Sequence, residues 1–457
     1  MPRSTQVHKF GGASLATAEA MAHAVSIVLA HRPGPIVVVV SALAGVTDAL
    51  LDIATKGLRG GATALRRKHS ALARALFTGA SRKKLISRVD ETFAELKVPR
   101  KMTPAATDSL LARGEQMSAR LFAAALEQAG CPVEYVSAAD LIITDDTFGH
   151  ASADLARTER AVRKTLGRLL ARGVVAVVPG FIGATPDGQI TTLGRGGSDL
   201  TATLLARALG AREVSLWKDV PGVLTADPRV VPDAHVVPQL HAREAAELAY
   251  YGAKVLHPRA LIPLGKRNIA VRIRPFANPA STGTEISQRS TLLASPVKAI
   301  SAIPGLALLT VTGNGMLGVP GIAARTFAAV QRAGVSVSLI SQASSEHSIC
   351  FTVPSGSAER ARKSLRETFR GEIARQEIDG VEVRAGVVAV AIVGLGMAAT
   401  PGIAARAFSA LADAGINIIA IAQGSSELNL SVVVDGRHGA AAQRAVHAAF
   451  QLNKVIA

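Results

Sequence analysis

The chain has 457 residues, 49% of them apolar and 19% charged, with a formal net charge of +17. One hydrophobic core stops growing at roughly 250 to 300 residues, so two or three domains are expected; the even spread of 41 Gly and 21 Pro argues against a large disordered region. The basic surplus does not point to nucleic acid, because the arginines are scattered through Ala-rich stretches such as 156–172, and only 12 Phe, 3 Tyr and 1 Trp offer rings for base stacking.

Cys131 and Cys350 have neither CxxC nor histidine spacing around them, so no metal site or disulfide framework is implied and a reducing compartment fits. The N-terminal residues carry no apolar signal core, and no window of about 18 apolar residues follows. A cytoplasmic protein with no membrane partner is expected.

The first part of the chain alternates two patterns. Residues 7–10 and 35–40 are strand-like, 18–31 and 118–129 carry apolar residues at helical spacing, and 174–178 and 213–217 are further apolar runs between turn residues. The alternation predicts an α/β domain with a largely parallel sheet covered by helices, and ligands at the C-terminal ends of the strands.

Lys9-Phe10-Gly11-Gly12-Ala13-Ser14 lies between the first strand and the first helix. Glycines let the backbone approach an anion, a helix N-terminus offers N–H groups, and lysine adds a point charge. The same residues also read as an ordinary Gly-Gly turn. They do not form the GxxxxGK[ST] loop, so a P-loop enzyme is not supported.

The most informative segment is Thr191-Thr192-Leu193-Gly194-Arg195-Gly196-Gly197-Ser198-Asp199-Leu200-Thr201-Ala202. Three glycines, Arg195 and Asp199 ahead of a helix expected over 200–209 suit the orientation of a small anion against a phosphate. Ser198 or Asp199 also fits a helix N-cap. Next, Trp217-Lys218-Asp219-Val220-Pro221-Gly222-Val223 and Ala226-Asp227-Pro228-Arg229 set carboxylates and a guanidinium after a strand, as a ribose and phosphate contact or simply a polar turn. Lys254 lies on an expected helix, where a lone lysine is ordinarily solvated, and His257 before Pro258 reads as structural.

Around 273–290 the composition shifts to Pro, Asn, Ser, Thr and Gly, which places the main domain boundary there. An internal repeat follows. Gly313-Asn314-Gly315-Met316, Pro320-Gly321-Ile322-Ala323-Ala324-Arg325 and Gln342-Ala343-Ser344-Ser345-Glu346 recur 81 residues later as Gly394-Leu395-Gly396-Met397, Pro401-Gly402-Ile403-Ala404-Ala405-Arg406 and Gln423-Gly424-Ser425-Ser426-Glu427. Each copy reads strand, Gly turn, helix, strand, Ser-rich turn, strand, a unit too small to stand alone.

Gly313-x-Gly315-x-x-Gly318 satisfies the dinucleotide fingerprint, and Gly394-x-Gly396-x-x-Ala399 does so with alanine last. The fingerprint also needs an acidic residue ending the second strand. The strand expected over 335–340 ends in Ser341-Gln342, so the glycines are read as a tight strand-to-helix turn.

In order along the chain stand KFGGxS, Ser41-Ala42 after the strand 37–40, Gly45-Val46-Thr47-Asp48-Ala49-Leu50, Arg113-Gly114-Glu115, GRGGSDxTA, Trp-x-Asp-Val-x-Gly, Asp-Pro-Arg and Gly-Ala-Lys-Val-Leu-His-Pro. This ordered set resembles the aspartokinases over nearly the whole chain. The resemblance implies an amino-acid-kinase-type α/β fold, a mostly parallel sheet sandwiched by helices, over residues 1–290. It implies ATP-dependent phosphorylation of the β-carboxylate of L-aspartate to 4-phospho-L-aspartate, the first step of lysine, threonine and methionine biosynthesis.

By the same resemblance Lys9, Gly11, Gly12 and Ser14 face the ATP phosphates, with Ser41 nearby. Thr47, Glu115, Phe181, Arg195 and Ser198 hold aspartate, Arg195 on its α-carboxylate. Asp199 orients the reacting groups, Asp219, Asp227 and Arg229 contact nucleotide, and Lys254 neutralises the transferring phosphoryl group. Mg2+ enters with ATP rather than on direct protein ligands. The carry-over is chemically coherent: a carboxylate nucleophile is already ionised at neutral pH, so the site needs positioning and charge neutralisation rather than a general base. Lys218 and Leu224 depart from the Thr and the aromatic residue common in the family, which implies weaker adenine stacking; Leu200 for Tyr and Ala13 for Thr are milder departures.

The repeat resembles tandem ACT (βαββαβ) units, one inserted in the other, over residues 291–457: an inserted unit of about 305–385, and a second made of about 291–304 plus 386–457. The residues 341–346 and 422–427 are similar to the kinase half of bifunctional aspartokinase/homoserine dehydrogenases. That likeness implies threonine as effector, contacted by Ile340, Gln342, Ile421 and Gln423, with lysine the competing choice. It also implies a homodimer or homotetramer through ACT pairing. The chain stops near where bifunctional relatives begin a dehydrogenase domain, and the residues leave both a one-function and a two-function protein open. A related kinase with another substrate and a non-catalytic amino-acid sensor are the alternatives; retained Lys9, Glu115, Arg195 and Asp199 count against the sensor.

Overall fold

The computed structural model describes residues 4–57, 61–94, 102–252, 255–265, 267–289, 295–316, 319–342, 347–398 and 400–454. Two compact units are present. The first comprises 1–223, 238–246 and 254–289, and the second 224–237, 247–253 and 290–457.

The first unit is built on ten strands: β1 (Gln6–Phe10), β2 (Ile36–Val40), β3 (Val133–Tyr135), β4 (Val175–Pro179), β5 (Ile182–Ala184), β6 (Ile190–Thr192), β7 (Glu213–Lys218), β8 (Gln239–His241), β9 (Ala270–Pro275) and β10 (Thr284–Ser287). Eight of them form one sheet in the order β3-β4-β2-β1-β7-β9-β10-β8. Only the β9–β10 pair in it is antiparallel. β5 and β6 form a separate hairpin.

Helices α1 (Ala18–Ala30), α2 (Val46–Lys56), α3 (Gly61–Leu76), α4 (Gly79–Ala94), α5 (Pro104–Gln128), α6 (Leu155–Ala171) and α7 (Gly197–Leu209) belong to this unit, and α8 (Ala242–Tyr250) is divided between the two. A parallel strand covered on both faces must be apolar throughout. β2, Ile-Val-Val-Val-Val, is accordingly buried at every position. One core joins Phe10, Met21, Val38, Phe122, Val177 and Trp217.

The expected elements recur with small shifts: the helix expected over 118–129 is the C-terminal half of α5, and that expected over 200–209 starts earlier, at Gly197. Register does the positioning. Phe10 lies beside Val40 on one side and Trp217 on the other, so the C-terminal ends of β1, β2 and β7 come level.

The second unit has strands β11 (Ala299–Thr312), β12 (Leu339–Gln342), β13 (Ser348–Pro354), β14 (Gly380–Val393), β15 (Ala420–Gln423) and β16 (Asn429–Asp435). They form one antiparallel sheet in the order β12-β13-β11-β14-β16-β15. Helices α9 (Ile322–Arg332), α10 (Ala358–Thr368), α11 (Arg370–Ala374), α12 (Ile403–Asp413) and α13 (Gly439–Ala449) complete it. The strand expected at 297–303 and the first strand of the inserted repeat are one continuous strand, β11, paired with β14 along its length and irregular between Ile303 and Leu308.

Each half of that long ribbon serves a different core. Leu309, Phe351, Leu365 and Phe369 form one; Ile300, Val390, Val432 and Phe450 form the other. The strand expected over 335–340 is shorter and later, at Leu339–Gln342, because residues 335–338 form the approach to it. The Ser-rich turn at 343–346 lies outside the described residues. The repeat's glycines are explained by close backbone approach: a Cβ on Gly313 would come 2.4 Å from the Glu377 carbonyl, and one on Gly394 2.2 Å from that of Pro296.

The reading from sequence makes a single cut at 290, whereas 224–237 and 247–253 pack within the second unit. The amide of Ile300 donates to the Thr225 carbonyl at 2.8 Å, and the Thr225 hydroxyl lies 3.0 Å from His447 Nε2. Tyr250 donates its hydroxyl to the Val337 and Ser338 carbonyls at 3.2 and 3.1 Å. Among the described residues no helix is long and apolar enough to cross a membrane.

Candidate active site

The level ends of β1, β2 and β7 meet the N-terminus of α7, and charged side chains converge there. Lys9 on β1 and Asp199 in the first turn of α7 are both buried, with Lys9 Nζ 2.8 Å from Asp199 Oδ1. The other oxygen, Oδ2, accepts from Lys218 Nζ at 2.9 Å. Burial alone would raise the Asp199 carboxyl, but the charges and hydrogen bonds of Lys9 and Lys218 outweigh it and hold it at about 2. Burial also lowers the Lys9 ammonium, with Asp199 opposing and Lys218 adding to the effect.

α5 supplies the next group. Thr103 caps this helix by accepting the Ala106 amide at 3.1 Å, and Pro104 fits its first position. Glu115, on its buried face, has Oε2 without a hydrogen-bond partner among the described residues. Burial pushes its carboxyl up to about 8, against the pull of nearby amides including that of Ala42, of Lys9 and of Thr47 in α2. A buried, half-satisfied carboxyl beside a lysine is a place for a cationic ligand group.

Gly11, Gly12 and Ser14 form the turn after β1. A Cβ on Gly12 would come 2.6 Å from the Ala42 carbonyl, so only glycine lets the turn close on β2. A Cβ on Gly11 would meet only Lys9 Nζ, at 3.9 Å, an ordinary contact, so Gly11 lies beside that ammonium without steric demand. Ser14 is buried and Ser41, at the end of β2, is half-buried. The Ser41 amide donates to the Phe10 carbonyl at 3.1 Å.

The glycine loop before α7 is tightly made. Phe181 holds a left-handed backbone, φ 69°, its amide donating to the Thr201 hydroxyl at 3.0 Å. Gly196, φ 71°, passes so close to His257 that a Cβ would lie 2.4 Å from that of the histidine. Arg195 is exposed and Ser198 half-buried. His257 is structural here, its Nδ1 accepting the Arg259 amide at 3.3 Å.

Two residues that sequence reasoning missed brace this loop. Buried Asp108 accepts the Thr192 amide at 2.7 Å, the Thr192 hydroxyl at 2.9 Å and the Gly149 amide at 2.8 Å. Arg259 donates to the Leu193 carbonyl at 2.8 Å and to that of Ala151 at 3.2 Å. An acidic residue on an Ala- and Leu-rich helix face was the available signal for Asp108; Arg259 had none.

Asp219, one residue beyond β7, is exposed. Asp227 and Arg229 are the further expected nucleotide contacts. They belong to the second unit, where Arg229 Nη2 donates to Asp227 Oδ2 at 2.7 Å and is 85% exposed. Lys254 lies outside the described residues. In the second unit Gln342 lines a cavity of about 250 Å3 with Met316, Pro320, Ile322 and Ile349. Gln423 is exposed on β15, and Ile340 and Ile421 are 49% and 40% exposed on the two edge strands.

Comparisons with known proteins agree with this architecture. The amino acid kinase family matches residues 4–275, and the ACT domain matches twice, at 309–369 and 390–450. Chloroplastic aspartokinase 3 of Arabidopsis thaliana is 34% identical over 98% of this chain and 81% of its own length. The crystal structure of E. coli aspartokinase III in complex with aspartate and ADP is 32% identical, with a TM-score of 0.79 over 97% of this chain and 99% of that one.

The chain belongs to the aspartokinase family.

A second structure of E. coli aspartokinase III, in complex with lysine and aspartate, matches with the same TM-score of 0.79. Chloroplastic bifunctional aspartokinase/homoserine dehydrogenase 1 of Zea mays is 36% identical over 98% of this chain but only 50% of its own length. The chain spans about half the length of the bifunctional relatives it matches, 50 to 57%. Of the four departures from the aspartokinase pattern, Lys218 is drawn onto Asp199, and Leu224 lies in the second unit, bridged to Val236.

Proposed function

We propose that this chain phosphorylates the β-carboxylate of L-aspartate with ATP, giving 4-phospho-L-aspartate, under feedback control by an amino acid. The observation that carries the reading is the buried Lys9–Asp199–Lys218 bridge at the end of the central strands, beside half-satisfied Glu115. A carboxylate nucleophile needs no base, so the chain's task is to bring two anions together and spread their charge.

In this reading the Gly11–Gly12 turn and Ser14 receive the ATP phosphates, with Ser41 near them and the Lys9 ammonium meeting the transferring group. Asp199 keeps Lys9 oriented and charged. Glu115 and Thr47 take the α-ammonium of aspartate, Arg195 its α-carboxylate, and Phe181 and Ser198 complete the contacts to aspartate. Asp219, Asp227 and Arg229 complete the nucleotide contacts, and Lys254 neutralises the transferring phosphoryl group. Mg2+ would enter with ATP rather than on direct protein ligands, and would offset phosphate charge. ADP and aspartate bound together in E. coli aspartokinase III support the substrate pair.

We assign catalysis to residues 1–290 and regulation to 291–457, with the inserted ACT unit at about 305–385 and the other at about 291–304 plus 386–457. Threonine is the effector we favour, met by Ile340, Gln342, Ile421 and Gln423 in a cytoplasmic homodimer or homotetramer. The cavity beside Gln342 has room for a small amino acid. Lysine, bound by E. coli aspartokinase III, is the competing effector.

Trapping of acyl phosphate as hydroxamate, with aspartate, with glutamate and with no acceptor, tests the reaction; no aspartyl hydroxamate would refute it. The same assay with threonine, lysine and both tests the effector. Gln342→Ala is expected to relieve inhibition while keeping activity, and insensitivity of the wild type to threonine would refute that assignment.

A further inference from the structure

Lys218 is the residue in this site that the mechanism above does not use. It closes β7, its carbonyl accepts the Phe276 amide at 2.7 Å, and its side chain turns onto Asp199. Asp199 already has a buried partner in Lys9. A second lysine beside the same carboxylate, at the positive end of α7, loses hydration and gains only a share of one negative charge. Such an arrangement is favourable when an anion completes it.

The anion has a route to Lys218. The Lys218 side chain keeps 18% of its exposure, where Lys9 and Asp199 keep 7% each. An ammonium has three N–H donors, and Asp199 engages one of those on Lys218, leaving donors for a ligand. β1 and β7 are adjacent parallel strands, with Phe10 paired to Trp217, so Lys218 ends its strand level with the Gly11–Gly12 turn. The nearby carboxyl, Glu115, is held largely protonated at neutral pH by burial, which leaves the two lysines with a net positive charge.

We propose that Lys218 is a further phosphate-binding ammonium, steered by Asp199, so that Lys218 grips the polyphosphate of the nucleotide alongside Lys9. This deepens the ATP reading above and rests on it. Lys218 adds charge and hydrogen bonds to the phosphates; it contributes no contact to adenine or aspartate.

The test is calorimetric titration of the full chain with ADP, with inorganic tripolyphosphate and with adenosine. Lys218→Met is expected to weaken ADP and tripolyphosphate by about tenfold or more, the scale of a hydrogen bond to a charged group. Adenosine affinity and the KM for aspartate should stay unchanged, and Lys218→Arg should regain most of the lost affinity. Lys218→Gln keeps a donor to Asp199 without the charge, serves if Lys218→Met fails to fold, and is expected to bind tripolyphosphate as weakly. Wild-type tripolyphosphate affinity in Lys218→Met or Lys218→Gln would overturn the proposal. A wild type that binds tripolyphosphate through Lys218 yet forms no aspartyl hydroxamate would sink the aspartate reading and leave this one standing.

Discussion

A carboxylate and basic side chains meet twice near the motifs that define this chain, with opposite surroundings. At Asp199 the carboxylate is enclosed and shared by two lysines; at Asp227 it meets an arginine that is 85% exposed. Water screens the second pair, and surface pairs of that kind are worth little. In the first, the charges depend on one another because Lys9 and Asp199 are buried and little solvent is there to replace a missing partner. Identical ingredients therefore make a preorganised site in one place and a local loop brace in the other.

Removing the enclosed carboxylate tests this contrast hardest. Asp199→Ala strands two lysines, and denaturant unfolding is expected to show a loss of about 3–5 kcal/mol together with near-abolished kinase activity. A loss no larger than that of an exposed substitution would break the comparison. Next in size is Gly196→Ala. Its backbone is left-handed, φ 71°, and the new Cβ would collide with His257, so a destabilisation of about 1–3 kcal/mol is expected in the same measurement.

The effect of Glu115 depends on pH. Its folded carboxyl is raised from 4.5 to about 8, so its stabilising contribution is fully present below 4.5 and is lost as pH rises through about 8. Glu115→Gln should flatten that decline in a series of unfolding midpoints; an unchanged slope would show that the carboxyl is not held neutral. Buried His8 acts on the opposite limb, because burial lowers its pKa below 6.5 and stability is lost as pH falls. Arg229→Ala is expected to have the least effect, with no measurable shift in midpoint. A weakened ADP affinity in that variant would then report nucleotide contact rather than folding.

Much of this contrast was legible before any coordinates. Lys9, Gly11, Gly12 and Asp199 were picked out by residue type at a strand-to-helix turn, and α1, β2, β4 and β7 by period and apolar runs. The 81-residue repeat marked two similar cores because a periodic apolar pattern has no other use. Local composition marks a cut at 290 and says nothing of 224–237, whose membership of the second unit depends on distant partners such as Ile300 and His447. Lys218 looked like a change near adenine until its ammonium was found on Asp199. Asp108 and Arg259 escaped notice because bracing a loop through backbone groups demands no motif.

The sequence by itself determined the family, the alternation that builds a parallel sheet and the duplication that follows it, because these depend on patterns repeated along many residues. Only the tertiary structure decided which charges act together. Parallel register sets Lys9 and Lys218 on neighbouring strands and the start of α7 brings Asp199 to both, while enclosure raises Glu115 and Arg229 stays in water. The strength of an electrostatic contact is set by distance and by the exclusion of solvent, and neither is written in the order of residues.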